Sequence, residues 1–255
     1  MRKVSIITVC FNSAATLENT ILSIESQDYP NIEYIVVDGA SMDGTLAIIE
    51  KHKTRINKFI SEKDNGMYFA INKGISLATG DIIGLLHSDD FYVRNDVISR
   101  VVKRFEESGA DAVYGDLQYV KRNDPKEIVR NWIAKPYESN MFLFGWMPPH
   151  PTFFVKKECI ENYGNYNTSL HFAADYELML RLVHKHGIKV SYLHELLVRM
   201  RIGGISNTPF TNRIRVNLEE RRCWKINNLK PYFFTSFLKP IRKVGQFFIE
   251  RDIKL

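Results

Sequence analysis

Two adjacent acids, Asp89 and Asp90, follow the apolar run Ile82-Ile83-Gly84-Leu85-Leu86 by way of His87 and Ser88. A buried strand that ends in paired carboxylates holds like charges where neither field is easily relieved. A hard divalent cation of the magnesium or manganese kind relieves the repulsion through carboxylate oxygens. The competing reading is an Asp-Asp turn that merely caps the next helix. A third acid, Asp38, ends the run Tyr34-Ile35-Val36-Val37. A carboxylate at that position could accept hydrogen bonds from a nucleobase imide or a ribose hydroxyl. Asp43-Gly44-Thr45, just beyond it, reads as a turn and helix entry. A fourth acid, Asp175, opens the pattern Ala173-Ala174-Asp175-Tyr176-Glu177-Leu178-Met179, where the helix dipole favours negative charge.

The elements that must position these acids alternate in kind over the first hundred residues. Strand patterns fall at Val4–Cys10, Glu33–Val37, Lys58–Ser61 and Asp81–Leu86, and helical patterns at Thr16–Ser26, Thr45–Lys51 and Met67–Leu77. Repeated strand–loop–helix units imply an α/β fold with a mostly parallel sheet and right-handed crossovers. Ligands of such sheets bind beyond the strand carboxyl ends, which here carry Thr8 to Asn12, Asp38, Glu62 to Asp64 and Ser88 to Asp90. Later patterns predict helices at Asn95–Glu107, Lys156–Tyr163 and Ala173–His186, with short strands at Ala112–Tyr114, Lys189–Tyr192 and Leu197–Arg201.

Composition bounds the rest. The 255 residues are 45% hydrophobic and 25% charged, ordinary for a globular chain. No run reaches the roughly 18 apolar residues of a spanning helix, and the N-terminus enters a strand without a signal-peptide pattern. Cys10, Cys159 and Cys223 fit neither a disulfide framework nor a zinc site, so reduced thiols and a cytoplasmic setting are expected. Residues 213–255 carry 11 Lys/Arg against 4 Asp/Glu, while residues 1–212 are nearly balanced at 24 against 25. That argues against a nucleic-acid binder and for a local contact between the tail and something acidic.

Five pieces occur in a telling order: Val4 to Asn12; Val37-Asp38-Gly39 with Asp43-Gly44-Thr45; Asn72-Lys73-Gly74 with Ala78-Thr79-Gly80-Asp81; Ser88-Asp89-Asp90; and Ala174-Asp175-Tyr176-Glu177. Together they resemble the family 2 glycosyltransferases, and within them the bacterial enzymes that build O-antigen or capsule repeat units. The latter share segments like Glu62 to Tyr68 and Pro149-His150-Pro151-Thr152-Phe153. The resemblance implies a GT-A (Rossmann-like) three-layer sandwich with a helical C-terminal extension. Residues 1–100 would form the nucleotide-sugar half, 101–210 the acceptor and base half, and 211–255 a basic aromatic tail.

The same resemblance implies roles. Asp38 would face the base, with Thr8 and Phe11 as the floor beneath it. Asp89 would lie toward the ribose or diphosphate, and Asp90 would bind Mg2+ or Mn2+, with Asp89 as a second ligand. Lys73 and Ser88 join the substrate-binding set, and Asp175 would be the general base of an inverting transfer, with Glu177 ranked second. The donor would be a UDP-sugar and the acceptor a growing cell-surface glycan, lipid-linked or free. The chain departs from its nearest look-alikes at Phe69, where they carry Asp.

Weaker signals are two-sided. His150 could line the acceptor site or serve as a structural hydrogen-bonder. Arg201-Ile202-Gly203-Gly204-Ile205-Ser206 could close over a diphosphate or be a plain Gly-Gly turn. The aromatic, basic segment 229–255 could lie on an anionic membrane at the inner face of the cell membrane, pack on the domain, or join a second copy of the chain. A non-catalytic nucleotide-sugar-binding or scaffold subunit of a membrane-associated glycan assembly is the rival reading of the whole chain.

Overall fold

Alternation along the first strand, β1 (Val4–Cys10), decides the layering. Val4, Ile6 and Cys10 enter one hydrophobic core, while Ile7 and Val9 enter another on the opposite face. Period-two side-chain alternation in a strand buried on both faces requires helices on both sides. In the computed structural model, which describes residues 1–203, 210–235 and 238, those helices are present. The first face is covered by α1 (Leu17–Glu25), α2 (Thr45–Lys51) and α4 (Val97–Ser108). The second is covered by α3 (Met67–Leu77), α5 (Lys157–Tyr163), α6 (Ala174–Met179) and α7 (Phe210–Ile226).

Helical crossovers set the first four strands parallel, in the order β3 (Lys58–Ser61), β2 (Ile32–Asp38), β1 and β4 (Ile82–Leu85). Helix α3 lies hard against β1 because position 74 is glycine: a Cβ there would sit 2.4 Å from the Ile7 methyl Cγ2. Beyond β4 the ladders become mixed. β8 (Phe154–Lys156) runs antiparallel to β4 and to β6 (Ala112–Val120); β9 (Val190–Arg201) runs parallel to β6. The short β5 (Asp90–Tyr92) closes the edge antiparallel to β9, and β7 (Ile128–Trp132) pairs with β6. Antiparallel neighbours need no helical crossover, so parallel pairing dominates only the first part of the sheet.

The two short strands expected at Lys189–Tyr192 and Leu197–Arg201 are one continuous β9, and Ala112–Tyr114 extends to Val120. The helix expected over Ala173–His186 is α6 followed by a π-helical stretch, Leu180–Lys185. Of the expected tail, α7 packs on the domain through buried Cys223 and Trp224. It ends before Asn228, whose φ of 56° is a left-handed stop. The segment Val244 to Ile249 lies outside the described residues.

Candidate active site

Asp90 is the electrostatic centre of the strand-end edge. Its backbone lies in β5, opposite Met200 of β9. Its N–H donates to the His87 carbonyl at 3.0 Å, and its carbonyl accepts from Thr20 Oγ1 at 2.7 Å. The carboxylate itself is fully buried, and neither oxygen has a hydrogen-bond partner among the described residues. Burial pushes the carboxyl well above the usual carboxylate range and the charge of Asp89 adds to the effect, while the Arg201 backbone N–H, near but outside hydrogen-bond geometry, and the Arg201 charge oppose both. A charge kept out of water without a partner is costly.

Asp89 is partly open, its side chain 22% exposed, with Arg122 Nη1 at 3.7 Å from Oδ2. Its carbonyl accepts from Arg201 Nη1 at 2.7 Å. Arg201 is therefore a buried anchor at the end of β9, also bonded to Asn19 Oδ1 at 2.9 Å and stacked over Phe91. Its neighbours Gly204 to Ser206 lie outside the described residues, so the closing loop expected there does too. The Ser88 and Ser13 hydroxyls meet at 2.9 Å, tying the β4 exit to the β1 exit.

Among the described residues, no group of three or more His, Cys, Asp or Glu side chains converges on a point that could hold an ion. The donors present still fit one kind of ion. Magnesium and manganese take one or two carboxylates and complete their shell with phosphate oxygens and water. The orphaned carboxylate of Asp90, with Asp89 beside it, offers that incomplete set of hard oxygens.

Asp38 is also buried, but its oxygens are occupied. Oδ1 accepts from Ser41 Oγ at 2.5 Å, and Oδ2 from Ser41 N at 3.0 Å and Ser61 Oγ at 2.7 Å. Asn12 N donates to Ser41 Oγ, and Asn12 Oδ1 accepts from Met42 N. The β1 and β2 exits are thus laced together, with Asn12 and Ala40 both at positive φ. Phe11 stands over this lacing with 62% of its surface free. Thr8 lies deeper than the floor position expected of it. Its hydroxyl donates to the Leu86 carbonyl and accepts from Tyr34, so it braces the edge from inside the core. Lys73 is clamped by Glu62 and Asp64 at 2.5 and 2.7 Å and fixes the loop after β3. Asp43 acts as a turn residue, accepting from Thr45 N and Ala14 N.

Asp175, half-buried at the start of α6, accepts from Tyr176 N at 2.8 Å and forms no ion pair among the described residues. Its charge is felt by Tyr68, His87, His150 and Tyr166. His150 Nε2 lies 2.8 Å from the Tyr166 hydroxyl, Tyr166 stacks on Tyr68, and the His87 and His150 rings are 5.8 Å apart. Burial pushes His150 down to about 4, with Asp175 opposing, so the ring is neutral near pH 7. Tyr119 senses both Asp90 and Asp175, which brings the two acids to one region. Glu177 faces the other way. It is buried in a bidentate pair with Arg181 and accepts from Asn227 of the segment after α7.

A mixed α/β sheet with its acids gathered over the strand carboxyl ends is the GT-A arrangement of sugar transferases. The chain belongs to glycosyl transferase family 2, whose profile matches residues 5–179. It is 33% identical over 180 residues to an uncharacterized glycosyltransferase of Mycobacterium tuberculosis, covering 70% of this chain and 68% of that one. It is 29% identical over 222 residues to WfaP of Escherichia coli, a UDP-Glc:α-D-GlcNAc-diphosphoundecaprenol β-1,3-glucosyltransferase, covering 84% of each. Among solved structures, Staphylococcus aureus TarS residues 1–349 in complex with UDP-GlcNAc superposes with a TM-score of 0.69 at 17% identity, over 92% of this chain and 69% of that one. The Pyrobaculum calidifontis mannosyltransferase PcManGT with GDP-Man and Mn2+ gives 0.67 at 21% identity, over 93% and 68%.

Sequence reasoning missed the supporting residues. Glu219 and Asn227 hold α6 from behind, and no local pattern advertises a contact across 46 to 50 residues. Arg181 pairs with Glu177 one turn away, a spacing that alone does not mark burial. Tyr68 and Tyr166 are brought together by α3, whose Asn72 exchanges two hydrogen bonds with the Tyr166 backbone.

Proposed function

We propose that the chain transfers a sugar, with inversion, from a nucleotide diphosphate to the hydroxyl of a growing cell-surface glycan, with UDP as the nucleotide. The observation that carries this reading is the Asp90 carboxylate, buried beside Asp89 at the strand-end edge with no hydrogen-bond partner among the described residues. Asp90 and Asp89 would hold Mg2+ or Mn2+, which when bound neutralises the charge that develops on the departing diphosphate. Phe11 offers its exposed ring to the base, above a loop held in shape by Asp38 and braced by Thr8. Lys73 keeps the loop after β3 in place near the donor, and Ser88 joins the two strand exits beneath it.

Asp175 takes the proton of the acceptor hydroxyl as that oxygen bonds to the anomeric carbon, while the bond from that carbon to the diphosphate oxygen breaks. It suits the role because no cation among the described residues pairs with it and its region is lined by neutral rings, including His150. Glu177 is unsuited, since Arg181 already holds its charge. An aromatic cluster in which Phe234 joins Phe144, Tyr232 and Phe233, the last 88% exposed, supports contact of segment 229–255 with an anionic membrane at its inner face. WfaP, whose acceptor is lipid-linked, favours the same setting.

The test is binding and transfer measured separately. UDP binding by calorimetry should be strengthened by Mn2+ or Mg2+ in the wild type and should lose that gain in Asp90→Asn. Asp175→Asn should keep UDP affinity and lose turnover of UDP-glucose or UDP-GlcNAc onto a GlcNAc-diphospho-lipid by at least ~100-fold. Full metal-dependent transfer by Asp90→Asn sinks the metal assignment; equal losses of affinity and turnover in Asp175→Asn make that residue a binder, not the base.

A further inference from the structure

Asp175 sits two residues past a main-chain segment whose hydrogen bonds are supplied by a distant side chain. The carboxylate of Glu219, in α7, accepts from three successive amides: His171 N at 3.0 and 3.1 Å, Phe172 N at 2.7 Å and Ala173 N at 3.1 Å. Helix α6 makes no side-chain cap of its own, because Ala173 occupies its N-cap position. Glu219 supplies the acceptor for the cap amide, Ala173 N, and for the two amides before it, so it holds the turn that leads into the helix. Three further contacts from the same side reinforce the grip. Cys223 Sγ, which donates to the Glu219 carbonyl at 3.0 Å, lies 3.6 Å from the Ala173 carbonyl, Trp224 Nε1 donates to the Tyr176 hydroxyl at 3.0 Å, and Asn227 Nδ2 to Glu177 Oε1 at 2.9 Å. These contacts flank Asp175 on both sides and leave its carboxylate to the cluster of Tyr68, His87, His150 and Tyr166. Glu219 lies beyond residue 179, where the family profile ends.

We infer that Glu219 is a positioning residue for the reaction: by fixing the amides of residues 171–173 it sets where the Asp175 carboxylate meets the acceptor hydroxyl. The inference rests on Asp175 being the base. A carboxylate that loses this anchor keeps its chemistry and loses its aim. Misplacement of about 1 Å costs up to roughly 100-fold in rate.

The experiment is a double-mutant cycle of Glu219→Ala and Asp175→Asn, reading UDP release from UDP-glucose or UDP-GlcNAc with a GlcNAc-diphospho-lipid acceptor. The same release reports attack by water. Glu219→Ala should lower kcat by roughly 30- to 100-fold while the Kd for UDP with Mn2+ stays within about twofold. In the Asp175→Asn background the same change should cost under about threefold, since the two residues act as one unit. Where Glu219→Ala does not fold, Glu219→Gln, which keeps one acceptor oxygen, takes its place with an expected loss of about 10-fold. Equal losses in both backgrounds, or an unchanged kcat, overturn the inference. Full turnover in Asp175→Asn alone overturns the base assignment and the inference with it, and that outcome is recognisable because Glu219 is intact.

Discussion

Replacing Asp90 with asparagine should stabilise the metal-free protein while disabling it. The wild-type carboxyl titrates well above its unfolded value because it is buried and lies beside Asp89. Between the unfolded value, about 3.9, and the raised folded value, the folded state holds a proton that the unfolded state has released. Stability in chelator should therefore be full below about pH 4 and fall as pH rises, by about 1.4 kcal/mol per pH unit across that window. For a chain of this size each such step is a Tm change of roughly 3–6 °C. Asp90→Asn keeps the shape and removes the proton, so its Tm should lose that slope. The assay is a pair of thermal melts in EDTA at half-unit steps from pH 4 to 8. Adding Mn2+ with UDP at about 100 times their Kd should restore about 2.7 kcal/mol to the wild type and far less to the variant. Parallel pH curves in EDTA would show that the Asp90 carboxylate is partnered or hydrated, and the reasoning from its isolation would fail.

Three other outcomes follow from particular contacts. His150 is depressed to about 4 against an unfolded value of about 6.5, so stability should be full above pH 6.5 and fall by up to about 3 kcal/mol as pH drops to 4. His87, depressed by burial too, adds a loss of the same sign. His150→Gln should flatten part of that slope in urea midpoints taken at pH 7.5 and 4.5; an unchanged slope counts against a neutral buried ring. Glu177→Gln breaks a pair whose side chains are 1% and 12% exposed and should cost about 3–5 kcal/mol. The kcat of the folded fraction should stay unchanged, whereas a folded variant that has lost turnover would make Glu177 the base. Gly74→Ala drives a methyl into Ile7 and should cost about 1–3 kcal/mol, read as a lower Tm with UDP affinity largely kept.

Much of the first half was legible because its physics is local. The bounds expected for β1, α2, β3 and α3 are those observed, since apolar periodicity and turn residues fix them within a few positions. Asp90 was legible as an acid at a strand end, but its place in β5 was not, because a three-residue strand has no period to read. The continuity of β9 was hidden by the polar pair His194-Glu195, which lies near register shifts against β6 at Tyr114 to Leu117. The grip of α7 on α6 was illegible for another reason. Glu219, Trp224 and Asn227 act on residues far away in sequence, and a charged side chain on a helix looks solvated until the fold supplies three amides for it.

That distinction explains how the site can hold a carboxylate with no hydrogen-bond partner among the described residues. Every anchor near Asp90 grips backbone: Thr20 holds its carbonyl, its own N–H reaches His87, and Arg201 holds the carbonyl of Asp89. Each such bond contributes roughly 0.5–1.5 kcal/mol, more where a guanidinium donates. Together they keep β5 paired with β9 and fix the backbone from which the buried carboxylate projects. The desolvation of Asp90 is thus met by the folding of its neighbours before any ion arrives. On the proposed metal role, an ion brought by a diphosphate would meet a carboxylate already dehydrated and in place, so that less reorganisation would oppose its binding.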